Sequence, residues 1–171
     1  MLKFMSNYLL HSRKGNRLKG FDYSFCTKYF ITTNVKWRCF SFGEIVNGCM
    51  NLNHYGEIAE AQWNWLLERY PYVISYAFVI MPDHIHAVIE LNSECYHDNT
   101  IKIKSLSEVV GAFKMRVSKE IHLAGAFEFT WQRSFHDRII RSADEFEACV
   151  KYVLNNPRNS TNQHKSHLMF Q

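Results

Sequence analysis

The residues best equipped for chemistry in this chain are His84 and His86, separated by Ile85. In a strand, side chains two apart share a face, so both imidazoles would grip one metal ion from the same side. Chance alone supplies roughly half of one such pair per chain of this composition, so the pair draws its meaning from its surroundings. It runs on into Ala87-Val88-Ile89, an apolar stretch that half-buries the strand. Imidazoles entering such a strand need hydrogen-bond partners or a metal.

Tyr152 forms a second feature, with Asn156 one helical turn later. At about 100° per residue, the apolar stripe of Phe146, Val150 and Val153 leaves Tyr152 roughly 120° from its centre and Asn156 within about 40° of the tyrosine. Both side chains then project from one flank of a helix. The plainer alternative is a half-buried tyrosine and an Asn that caps the helix before Pro157. A phenol with a pKa of about 10 is a nucleophile only when its proton affinity is lowered or its electrophile polarised. Two imidazoles and an amide oxygen would leave open positions on a cation for a phosphodiester oxygen, and Tyr152 could then attack the phosphorus. A phosphotyrosine intermediate would keep the phosphodiester energy for re-ligation. This chemistry requires the sheet and the last helix to be neighbours.

A third set mixes aromatics with cations. Trp131-Gln132-Arg133-Ser134-Phe135 precedes Arg138 and Arg141, and Lys114, Arg116 and Lys119 lie just upstream. Such interleaving suits single-stranded nucleic acid, where bases stack and phosphates pair with Lys and Arg. The plainer alternative is a core Trp and Phe beside a solvated basic face.

These residues must be positioned by one domain. The chain has 171 residues, 47% apolar and 21% charged, enough to bury a core without disulfide or metal staples. No apolar run approaches a membrane span, and no signal peptide is visible, so a cytoplasmic protein with no membrane partner is expected. The net charge of +4 permits a polyanionic partner without demanding one. Five cysteines without a C-x-x-C pair argue for reduced, mostly buried thiols. Residues 1–24 read as a basic arm, 25–160 as the domain and 161–171 as a tail.

Within the domain, Lys28 to Lys36 is β-branched and aromatic, a first strand. Ser41 to Asn53 reads as a hairpin about Asn47-Gly48. Ile58, Ala61, Trp65 and Leu66 recur at helical spacing, with Pro71 closing that helix. Strands are expected at Tyr72 to Ile80 and His84 to Leu91, then a polar loop over Ser93 to Lys104. Ser105 and Glu108 form a capping box for a helix whose core face is Leu106, Val109, Val110, Phe113 and Val117. Phe127 to Trp131 and Phe135 to Arg141 read as short strands. Ser142 and Glu145 open a third helix that ends before Pro157. The alternation predicts an α+β fold, a ferredoxin-like antiparallel sheet with helices on one face.

Four segments, in order, resemble a known family. Phe78-Val79-Ile80-Met81-Pro82-Asp83-His84-Ile85-His86 is similar to the signature of the IS200-like, or REP-associated, tyrosine transposases of the HUH class. Phe42 to Gly48 resembles an early hairpin of that family, Trp131 to Arg141 its W-Q-x-x-(aromatic)-x-D segment, and Tyr152 to Pro157 its terminal Y-(I/V)-x-x-N-P helix. The resemblance spans about Lys28 to Arg158. It implies that His84 and His86 bind metal, that Asn156 is a third ligand and that Tyr152 is the nucleophile. It also implies a ferredoxin-like fold, a homodimer, and cleavage of single-stranded, hairpin-bearing DNA through a 5′-phosphotyrosine. Ligand chemistry alone favours zinc for imidazoles; Mg²⁺ or Mn²⁺ follows from the resemblance. Asp83 stands where the family usually has Asn; it either orients a histidine as a neighbouring carboxylate or weakens DNA binding by its charge. Arg158-Asn159-Ser160 replaces the usual apolar continuation.

The expectation is therefore a metal-dependent single-stranded DNA transposase, with Lys114, Arg133 and Arg141 as candidate phosphate contacts. A catalytically inactive nucleic-acid-binding module of the same fold is the alternative, and a small zinc hydrolase a third.

Overall fold

A computed structural model of the chain describes residues 27–36, 42–92 and 103–167, with side chains through residue 160. The proposed arm and most of the Ser93–Lys104 loop lie outside the described residues. The elements are β1 (Thr27–Asn34), β2 (Gly43–Val46), β3 (Cys49–Leu52), α1 (His54–Arg69), β4 (Val73–Ile80), β5 (His84–Leu91), α2 (Leu106–Leu123), β6 (His136–Ile140) and α3 (Ala143–His167). The main sheet has the order β4-β5-β1-β6 with every neighbour antiparallel. This is the ferredoxin-like α+β arrangement, with β2 and β3 added as a separate hairpin. Among the described residues no helix is long and apolar enough to cross a membrane.

The sheet buries both faces, not one. On one side Tyr29 and Ile31 of β1 and Ile85, Ala87, Ile89 and Leu91 of β5 meet α1 and α2 in the main core. Trp63 of α1 stacks on Phe78 at 4.3 Å between ring centroids and meets Phe113 of α2 edge-on at 5.4 Å. On the other side Ala77, Val88, Ile140 and Val153 are buried together, flanked by Phe30, Val79, Phe146, Cys149 and Val150. That second cluster holds α3 against the sheet. With both faces covered, β5 is apolar almost throughout, which hides the face change that alternation would otherwise reveal.

Local chemistry sets the ends of the elements. Asn47 and Gly48 adopt φ of 52° and 78°, the pair of left-handed residues that a tight primed turn requires. Asn53 opens α1 earlier than the apolar spacing implies, its side-chain oxygen accepting from the N–H groups of Tyr55 and Gly56, both at 3.0 Å. The buried stripe of α1 is Gly56, Ala59, Trp63 and Leu66, whereas Ala61 is exposed. The helix is rotated from the expected face because Gly56 lies directly under the Phe42 carbonyl and the Leu52 side chain of the hairpin. In α2 the expected core face is buried, extended by Ile121, and the Ser105 N–H donates to Glu108 at 2.9 Å.

Three further expectations are corrected. Phe127 to Trp131 is not a strand along its length, Trp131 alone pairing with Val35 in an isolated antiparallel bridge: α2 ends in a Schellman turn, with Ala126 N–H donating to Ile121 and Gly125 N–H to His122, and Gly125 at φ 98°. Phe127 is left 79% exposed, while Phe129 and Trp131 fold into the core. Helix α3 does not stop before Pro157 but carries it inside. The ring removes its own N–H bond, and the helix continues, with Arg158 lying against Gly48 of the hairpin. Of the described cysteines, Cys49 is exposed and Cys149 half-buried, so thiol burial does not hold for Cys49.

Gly56→Ala should destabilise the fold by about 2 kcal/mol, since the new Cβ would meet the Phe42 carbonyl oxygen at 2.2 Å. Gly111→Ala, on the open face of α2 with nothing nearby, should stabilise it by about 0.5–1 kcal/mol. Urea unfolding of the two variants checks both signs.

Candidate functional site

Strand β5 presents His84 and His86 on the α3 side of the sheet, the same side as Phe30 and Thr32 of the adjacent β1, whose Thr32 lies opposite His86 in register. The two imidazole centroids are 4.6 Å apart. Each ring is held through its Nδ1. The His84 Nδ1–H donates to Asp83 Oδ1 at 2.6 Å, and His86 Nδ1 shares a 2.7 Å hydrogen bond with the Thr32 hydroxyl. Asp83 thus hydrogen-bonds the first histidine as a neighbouring carboxylate. It sits in the Met81-Pro82-Asp83 turn between β4 and β5, pinned by Met81 N–H to His84 O and Val35 N–H to Asp83 O.

Helix α3 brings Tyr152 against His86 and Phe30. Its ring centroid lies 5.4 Å from that of His86 and 5.8 Å from that of Phe30, edge-on to both. Phe30 in turn stacks on His86 at 5.4 Å. Val153, fully buried in the cluster beneath α3, anchors the helix, and Tyr152 next to it stays 48% exposed. The ring is therefore braced against two neighbours while the residue as a whole stays half exposed. Asn156 lies one turn on and is buried. Among the described residues, the buried polar side chains are Thr33, His86 and Asn156, so two of the three are residues the sequence picked out as ligands.

Burial sets the electrostatics. The imidazole of His86 is pushed down from 6.5 to about 4, chiefly by loss of solvent and then by His84, against a bond to the Ile31 backbone. It is neutral at pH 7, the state in which an imidazole binds a cation. Among the described residues no group of three or more His, Cys, Asp or Glu side chains is placed to hold a metal ion. If a cation sat here, the two imidazoles would be its nitrogen donors; Asn156 is buried one turn beyond Tyr152 on α3. The donor set suits that use, because each imidazole has its second nitrogen oriented by a side-chain oxygen, the pattern that prepares a histidine ligand.

The basic candidates lie elsewhere. Lys114, on α2, turns its amine to the carbonyls of Gln132 at 2.7 Å and Ser134 at 3.2 Å, and its own carbonyl accepts from the Trp131 indole at 3.0 Å. Burial lowers its pKa to about 8. It fastens the 131–134 loop to α2, on the far side of the sheet from the histidines. Arg133 is exposed in that loop, and Arg141 is exposed at the start of α3, where its N–H donates to Glu145 at 2.9 Å. Sequence reasoning missed Phe30 and Thr32, whose part depends on strand register; Arg138, one of the cations it set among the aromatics, pairs with Glu145 at 2.5 Å. An open groove of about 790 Å³ runs from His86 and Tyr152 along α3 to that pair.

Comparison with known proteins bears on the fold. No family model matches the chain. A Haemophilus influenzae protein described only as uncharacterized is 29% identical over 161 residues, covering 86% of this chain and 89% of its own length. Among solved structures, a REP-associated tyrosine transposase bound to a REP hairpin superposes with a TM-score of 0.60 at 19% identity, over 91% of this chain and 74% of that one. The likeness is one of fold.

The state of His86 has a measurable consequence. Between pH 6.5 and about 4 the unfolded chain takes up a proton that the folded one refuses, so stability rises with pH across that window. In metal-free protein, acidification through it should remove about 3 kcal/mol. The NMR titration of His86 should have its midpoint near 4, and His86→Asn should flatten the stability slope. A midpoint near 6.5 would contradict the described environment.

Proposed function

We propose that this protein is a single-stranded DNA transposase that cuts and rejoins DNA by transesterification, with Tyr152 as nucleophile. The observation that carries the reading is the contact of Tyr152 with His86, which itself stands beside His84. A half-exposed phenol is braced edge-on against an imidazole, and that imidazole and its neighbour each have one nitrogen engaged by an oxygen. The order and spacing of the four family-like segments support the same reading, as does the fold shared with a transposase that binds a REP hairpin.

In this account Tyr152 Oη forms a bond to phosphorus as the bond from phosphorus to the 3′ oxygen breaks. The phenol loses its proton and the departing 3′ oxygen gains one, leaving a 5′-phosphotyrosine and a free 3′-OH. Attack by a 3′-OH reverses the step and rejoins DNA without an external energy source. His84, His86 and Asn156 would hold a divalent cation, Mg²⁺ or Mn²⁺, which when bound polarises a phosphoryl oxygen. Asp83 and Thr32 keep the imidazoles turned toward it, and Phe30 confines the swing of the tyrosine ring. The half exposure of Tyr152 leaves the residue reachable by a polymer. Arg133 and Arg141 offer guanidinium groups to phosphates; Lys114 is occupied with loop carbonyls. A hairpin-bearing single strand is the substrate, and a homodimer acting in the cytoplasm belongs to the same reading.

Incubated with labelled hairpin DNA and Mn²⁺ or Mg²⁺, the protein should yield a band on a denaturing gel at the mass of protein plus DNA, and a chelator should remove it. Tyr152→Phe should abolish the band while native-gel binding persists. Asp83→Ala should weaken cation affinity by about 10–100-fold. Binding without any adduct in the wild type would favour the inactive module, and zinc-dependent release of products without an adduct would favour the hydrolase.

A further inference from the structure

The groove beside Tyr152 is larger than the chemistry at the tyrosine requires. Its about 790 Å³ falls within the range of about 300–1,000 Å³ typical of clefts that enclose small ligands. The floor is Phe30 and Thr32 of β1, with His86 at one end. The outer wall comes from β6, where His136 and Arg138 lie opposite Thr32 and Phe30 in register and so share the α3 side of the sheet. The inner wall is α3 from Asp144 and Glu145 through Ala148 to Tyr152, and Asp137 of β6 adds a further carboxylate to the lining. From Tyr152 to Glu145 the helix rises about 10 Å, the length of a short stretch of single strand.

The walls are graded. Aromatic and imidazole rings crowd the end near Tyr152, where Phe30, His86 and the tyrosine itself stand in mutual contact. The far end holds Arg138, 68% exposed at its side chain and paired with Glu145 Oε1 at 2.5 Å. Glu145 has a second engagement, since its Oε2 accepts from the Arg141 N–H at 2.9 Å. It can therefore release the guanidinium and still cap the helix. The guanidinium end of the pair is open to solvent and screened by it, while the Glu145 side chain is only 19% exposed; a phosphate offers the same guanidinium two parallel bonds. A base seated on rings followed by a phosphate on a guanidinium is the pattern of single-strand recognition.

We propose that the groove between β6 and α3 seats the nucleotide adjoining the scissile phosphate, its base against Phe30 and His136 and its outer phosphate on Arg138, which exchanges Glu145 for it. The inference rests on the transesterase reading for which phosphate is scissile, but it makes its own claim about where the strand runs. Arg138 becomes a DNA-binding residue, and Glu145 the group that occupies it until DNA arrives.

The test uses the full chain and a labelled hairpin oligonucleotide with randomised single-stranded flanks, read both by native-gel binding over a salt series and by covalent adduct. Ala148→Trp adds bulk to an exposed helical position on the groove wall and should lower binding and adduct by about tenfold, the loss of one stacked base, with an unchanged melting temperature. Arg138→Gln should flatten the slope of log affinity against log salt by about 0.7, one phosphate on a single strand. Glu145→Gln should tighten binding by about fivefold, the upper end for a pair with one end in solvent. Wild-type binding, adduct and slope in both Ala148→Trp and Arg138→Gln would overturn the inference and leave the Tyr152 chemistry standing. Absence of adduct in the wild type, with Ala148→Trp and Arg138→Gln still losing binding, would overturn the chemistry and uphold the groove.

Discussion

The pleat of β5 is the constraint on which the site depends. Ile85, Ala87, Ile89 and Leu91 enter the main core, which commits His84, His86 and Val88 to the opposite side. Because side chains alternate with period two, a slip of one residue would send both imidazoles into the α1–α2 core and the isoleucines toward the tyrosine. The burial of four apolar side chains on one face thus enforces the placement of two polar ones on the other. Antiparallel pairing with β1 adds Thr32 opposite His86, and the turn before β5 adds Asp83 beside His84.

The two faces divide the physical work unevenly. The α1–α2 side carries the larger aromatic load, in which Phe42, Phe129 and Trp131 interlock with ring centroids 5.3 to 5.9 Å apart. The α3 side is held by a smaller cluster centred on Val88 and Val153. That economy of apolar contact leaves room for imidazoles, a hydroxyl and a phenol on the same surface. Val153 ties the two roles together: its burial positions the helix, and the residue before it is the proposed nucleophile. His86 shows the electrostatic side of the arrangement, since burial that disfavours its charged form keeps a lone pair available.

Much of this was legible in the residues. The β-branched run of β1, the Asn-Gly turn, the apolar face of α2 and the i, i+2 relation of the two histidines are local properties, and local rules read them correctly. What eluded such rules was set by contacts distant in sequence. The rotation of α1 is dictated by Gly56 under the hairpin. The helical path through Pro157 is accompanied by packing of Arg158 against Gly48. Burial of both sheet faces came from α3 crossing the second one. Lys114 looked like a phosphate contact because its charge is visible in sequence, while the two carbonyls that engage it are not. Phe30 and Thr32 could be named as site residues only once the register of β1 against β5 was known.

The central claim is that one side chain, Tyr152, becomes joined to DNA. The most direct measurement is mass spectrometry of the protein after reaction with hairpin DNA and Mn²⁺, followed by nuclease and protease digestion. The account predicts a nucleotide-sized mass increase on the peptide containing Tyr152, with fragment ions placing the phosphate on that residue. The same increase on a peptide lacking Tyr152, or an unmodified Tyr152 peptide from material that has cut its DNA, would contradict it.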